Sequence, residues 1–129
     1  MAMKPEVKKV FLDALRSGEY EQGTGRLALV KDDGVVGYCC LGVLSAEGAK
    51  AGVCNPLELS DYFTDDQAEK EWVIKASDNE DGVEYVYAYP PQSIYDWAGL
   101  TSEDGTALAN INDKNDSFAE VIEYIDANL

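Results

Sequence analysis

The sequence predicts an α+β domain in which a small antiparallel sheet of two hairpins packs against N-terminal, central and C-terminal helices. Three observations predict it. Apolar residues recur at helical spacing near both ends, two pairs of short β-prone runs are each split by turn residues, and the chain is one domain long. Its 129 residues suit a single unit (1–129). At this size roughly two-thirds of the unfolded surface is buried, and the apolar fraction of 46% is ordinary for a folded protein.

The first helix is predicted over 5–17, where Val7, Val10, Phe11, Ala14 and Leu15 share one face. Pro5 suits the first turn and Gly18 the position after the end. Residues 19–24 read as a loop, and 26–30 and 35–39 as strands of a first hairpin, with Asp33-Gly34 as its turn signal. The pattern then turns helical over 40–51, carried by Leu41, Val43, Leu44, Gly48 and Ala51. Gly42 and Gly48 lower the helix propensity but admit a neighbouring backbone, so this helix is expected to be buried. Residues 57–63 read as a helical turn after Asn55-Pro56. The second hairpin pairs 72–76 with the alternating run 83–89, across the turn Asp78-Asn79-Glu80-Asp81-Gly82. Pro90-Pro91 stops it. A short helix over 92–98 ends at Gly99, 101–105 reads as a loop and 107–111 as a helical turn. The last helix is predicted over 117–127, with Ser117 and Glu120 at capping-box spacing and Phe118, Val121, Ile122 and Ile125 as its buried face.

The net charge of −15 is unevenly placed. Residues 1–54 hold seven acids and seven bases; residues 55–129 hold eighteen acids and three bases, which is the whole imbalance. Such a field repels phosphates and opposes direct nucleic-acid binding, while favouring basic partners. Solubility alone is the plainer account of the same charge. No apolar run approaches the ~18 residues of a membrane helix, and no signal-peptide pattern opens the chain. Three cysteines, two of them adjacent, make a poor disulfide framework and point to the cytoplasm.

Candidate chemistry is thin. Cys39 and Cys40 lie where a strand gives way to a helix, a place that can activate a thiol. A cysteine hydrolase needs a base, normally histidine, and the chain has none. A phosphate-binding loop needs a following arginine, and both arginines, Arg16 and Arg26, precede the pair. The cysteines therefore read as buried and structural. Asp113-Lys114-Asn115-Asp116 looks like the start of a calcium loop, but the central glycine is missing and Tyr124 stands where the closing glutamate belongs. No catalytic residue, metal ligand or cofactor is assigned.

Two surfaces qualify as partner-binding. Asp116, Glu120 and Glu123 fall on the side of the last helix opposite its apolar face, with neighbours about 5–6 Å apart. That is near the spacing of phosphates along a DNA strand. Asp78, Glu80, Asp81 and Glu84 extend the negative set around the second hairpin. Tyr85 and Tyr87, in a row with Tyr89, offer large rings with hydrogen-bonding tips. A solvated helix face and a core of packed tyrosines are the competing structural readings.

Three stretches carry a family resemblance. They are Leu15-Arg16-Ser17-Gly18-Glu19-Tyr20-Glu21-Gln22-Gly23-Thr24-Gly25, then Tyr38-Cys39-Cys40-Leu41-Gly42-Val43-Leu44, then Leu108-Ala109-Asn110-Ile111-Asn112-Asp113 followed by Ser117-Phe118-Ala119-Glu120. In this order they resemble a family of small bacteriophage proteins without assigned function. Cys-Cys-Leu-Gly-Val-Leu is the most specific part, and 46–95 is not matched. Relatives often carry a further cysteine where Ser45 stands, so the resemblance supplies no metal or redox set. It implies action inside the host bacterial cytoplasm.

The expectation is an acidic binding protein that inhibits or modulates a host bacterial protein with a basic surface, such as a nucleic-acid-binding or defence protein, by presenting a DNA-like negative face. The alternatives are a binder of small nucleotide signals, using Arg16, Arg26 and Lys31, and a carboxylate-based metal hydrolase.

Overall fold

A computed structural model describes residues 3–23, 27–30, 36–54, 57–59, 71–79, 82–86, 89–115 and 117–129. Among them the chain forms five helices and six strands: α1 (Pro5–Arg16), β1 (Glu21–Gln22), β2 (Ala28–Val30), β3 (Val36–Tyr38), α2 (Cys40–Lys50), β4 (Leu57–Leu59), β5 (Glu71–Asn79), β6 (Gly82–Val86), α3 (Gln92–Ala98), α4 (Ser102–Lys114) and α5 (Ala119–Asn128). The α+β class stands.

Helix α2 is the hub. It touches α1, α3 and α4 on its flanks and β3 and β4 on the sheet side. Seven of its residues are buried, from Cys40 to Ser45 and at Gly48. Residues 40–45 are buried all round and carry no charge, while the last turn reaches solvent with Glu47 and exposed Lys50. Its glycines are the points of closest approach. A Cβ on Gly42 would overlap the carbonyl oxygen of Leu27, and one on Gly48 would overlap Ile94. Phe11, Leu27, Leu41, Leu44, Ile94, Leu108 and Ile125 are wholly buried around this hub.

The sheet differs from the expectation of two antiparallel hairpins. It is a mixed, six-stranded sheet in the order β1-β3-β2-β5-β4, with β6 also on β5. The stretch 19–24, expected as a loop, contains β1, which pairs parallel to β3. Gly23 N–H continues that ladder by donating to the Tyr38 carbonyl at 2.7 Å. Two residues are too few to show a period of two, so the partner decides this strand. The remaining pairs run antiparallel: β2 with β3, β2 with β5, β4 with β5 and β5 with β6. The expected helical turn over 57–63 is corrected as well, because Leu57–Leu59 is strand β4. A three-residue Leu-Glu-Leu run fits either period, and the open side of β5 chose the strand. The Asp33-Gly34 turn lies outside the described residues.

Helix α4 is the largest correction. Residues 101–105 were expected as a loop, yet a thirteen-residue helix starts at Ser102. Thr101 accepts from the Asp104 amide at 3.2 Å, and the Asp104 carboxylate accepts from the Thr101 amide at 3.0 Å. This reciprocal box satisfies two otherwise orphaned donors and offsets the weak propensity of Gly105. At the last helix the expected box at Ser117 is absent: α5 begins at Ala119, and Ser117 Oγ only accepts from the Ala119 amide at 3.3 Å. The rest of the helical reading holds, except that Ala51 lies exposed just past α2, Ile122 is half-buried and Val10 faces water. Val10 is 39% exposed, because α1 buries Val7, Phe11, Leu12, Ala14 and Leu15 and turns its other side to water. Gly99, at φ 77°, ends α3 in the left-handed conformation.

Candidate functional site

The three resemblance stretches meet at one buried joint. Asn112 of α4 is wholly buried, and its side chain ties all three together. Its Oδ1 accepts from the Cys40 amide at 3.2 Å, and its Nδ2 donates to the Gly23 carbonyl at 2.8 Å. Gln22 Nε2 returns the link by donating to the carbonyls of Asn112 (2.9 Å) and Asn115 (3.0 Å). Cys40 Sγ donates to the Leu108 carbonyl at 3.5 Å. The joint thus satisfies the buried amide at the start of α2 without a serine or aspartate cap, and the Asn112 side chain at its centre is out of reach of solvent.

Cys39 and Cys40 belong to this joint and are 3% and 0% exposed. The Cys40 thiol beside Cys39 holds the Cys39 thiol below the usual thiol range, with the amides of Gly42 and Leu41 acting the same way against burial. Cys40 is pushed well up by the Cys39 thiol and by burial. Cys54 is raised by burial and is only half-buried. Two thiols sealed in a core are packing groups. Among the described residues no three of Cys, Asp and Glu are arranged to hold a metal ion.

The predicted partner-binding residues do not all fall where the structure describes them. Glu120 and Glu123 are exposed on α5, followed on the same side by exposed Asp126. Asp78 lies in β5, and Glu84 and Tyr85 lie in β6, paired in register with Ser77 and Lys75. Glu80, Asp81, Tyr87 and Asp116 lie outside the described residues. Of the predicted acids, Glu120 and Glu123 are exposed on one helix, and Asp78 and Glu84 stand on paired strands. Glu103 and Asp113 are exposed on α4. Tyr95, weighed with the tyrosine row, is core: it is 5% exposed and burial pushes it up to about 12. Tyr89 is 44% exposed.

One polar group had no signal in the sequence. Tyr20 donates to Glu47 Oε1 at 3.0 Å, and Lys50 Nζ donates to Tyr20 Oη at 3.1 Å and to Glu47 at 3.2 Å. The Tyr20 ring stands edge-on to Tyr38, 4.9 Å between centroids. Burial raises Tyr20, with Glu47 acting the same way and Lys50 against it, and the Tyr20 hydroxyl and Glu47 hold Lys50 in its charged form. A protonated phenol and a charged ammonium make this a clasp between the 17–23 segment and α2. Only the spacing of Glu47 and Lys50 is visible in sequence; Tyr20 lies 27 residues away.

The chain belongs to the DUF8296 family. Its profile, described as a domain of unknown function, matches residues 3–129 and so includes the 46–95 stretch that the motifs leave out. No curated protein and no solved structure matches the chain. No described helix of this DUF8296 chain is long and apolar enough to cross a membrane.

Proposed function

We propose that this chain is a phage-encoded acidic binding protein that inhibits or modulates a host protein in the bacterial cytoplasm. Its partner carries a basic surface, as nucleic-acid-binding and defence proteins do, and the chain offers carboxylates where that partner expects phosphates. The observation that carries the reading is the segregation of charge: all of the −15 imbalance lies in 55–129, and Glu120, Glu123 and Asp126 are exposed together on α5. Charges arranged in this way raise association rates with a basic partner and reject nucleic acid itself. The phage origin rests on the resemblance of the three stretches, of which Cys-Cys-Leu-Gly-Val-Leu is the most specific.

The test is capture from bacterial lysate with the tagged chain and with the Glu120→Lys/Glu123→Lys variant, at low and moderate salt. The expected result is one basic protein held by the parent chain, lost as salt rises, displaced by DNA and not held by the variant. Equal capture by the variant would remove the α5 stripe from the reading, and a blank at both salts would return the charge to solubility.

A further inference from the structure

We infer that the edge of β6 that pairs with no described strand is a docking strand that takes an extended basic segment of the partner by strand addition, an inference that rests on the proposed acidic-binding reading and names its mode. Strand β5 has nine residues, but the body of the sheet uses only its first part. At Trp72 it is flanked by Ala28 and Leu59, and at Ile74 by Leu57 and Val86. Since β4 supplies Leu59 and Leu57 on one side, β2 and β6 share the other side, one after the other. Past Ile74, residues 75–79 of β5 pair with β6 alone among the described strands. Among the described strands, the two therefore run on as a two-stranded arm of the sheet.

A two-stranded ribbon is marginal by itself in water, and a third strand is the usual remedy. Its two edges are not equivalent. The register of β5 shifts between Lys75 and Ser77, and this bulge breaks the ladder on the β5 side. The five residues of β6 show no such break, so β6 is the edge a further strand can follow. Charge selects the occupant. The arm carries Asp78 and Glu84 against Lys75, within a segment of eighteen acids and three bases. A second copy would join two molecules of −15 each. A basic extended segment does not meet that objection.

The test titrates the whole chain with a short peptide of alternating lysine and valine, and with the same peptide N-methylated throughout its central stretch. The two have equal charge, and only the first can pair with a strand edge. The expected result is slowed amide exchange at 82–86 with the first peptide and binding about tenfold tighter than with the second, the scale of one or two lost edge hydrogen bonds. Equal binding without protection at 82–86 overturns strand addition and leaves a charge-driven acidic binder standing. Binding of neither peptide also overturns it, while lysate capture with the α5 variant judges the broader reading separately. Protection at 82–86 that grows with protein concentration and no peptide overturns it in favour of a second copy.

Discussion

Asn112 shows how one side chain can hold a motif together. It replaces the missing cap of α2, receives the Cys40 amide and closes onto the Gly23 carbonyl, all out of reach of water. Removing it strands two buried backbone groups, each costing about 1–3 kcal/mol. Asn112→Ala is therefore expected to lose about 3 kcal/mol of stability, measured by urea unfolding; a loss near zero would mean that the joint does not organise the fold. The cysteines beside it owe their place to the same joint. Their burial makes the pair a poor nucleophile despite its position at a helix start, which can lower a thiol's pKa when the thiol is reachable.

At the scale of elements, two features are decisive. Gly42 lets α2 lie directly on the Leu27 backbone, so the helix can enter the core between α1 and α4. The capping box at Thr101 sets the start of α4, and α4 in turn carries Asn112 to the joint. Thr101→Ala is expected to cost about 1 kcal/mol in chemical denaturation, with Thr101→Ser restoring most of it. An unchanged stability would place the helix start under the control of packing alone. The box was legible in principle, as Thr101 and Asp104 stand three apart, but aspartate at that position is a weaker signal than glutamate and Gly105 follows it. β1 and β4 were not legible: runs of two and three residues have no measurable period, and their neighbours β3 and β5 assign them.

For the whole molecule, the charge of −15 acts on stability as well as on partners. Self-repulsion of the compact state is relieved by screening, whose length falls from about 10 Å at 0.1 M salt to about 3 Å at 1 M. The melting temperature is therefore expected to rise by a few degrees between low salt and 0.5 M sodium chloride, as followed by circular dichroism. A flat response would show that the acids stand far enough apart to be solvated separately. The same screening weakens association with a basic partner, so salt is expected to stabilise the chain and loosen its complex together.

By itself, the sequence determined the helices at both ends, the buried central helix, the charge imbalance of the C-terminal half and the absence of histidine. These are properties of local period and composition, which need no partner to be read. Only the tertiary structure decided that three distant stretches meet at Asn112, that Tyr20 clasps α2, that Val10 faces water and that the sheet is mixed. Each of these depends on a contact between segments far apart in the chain, and the strength of such a contact is set by where the backbone brings its two halves.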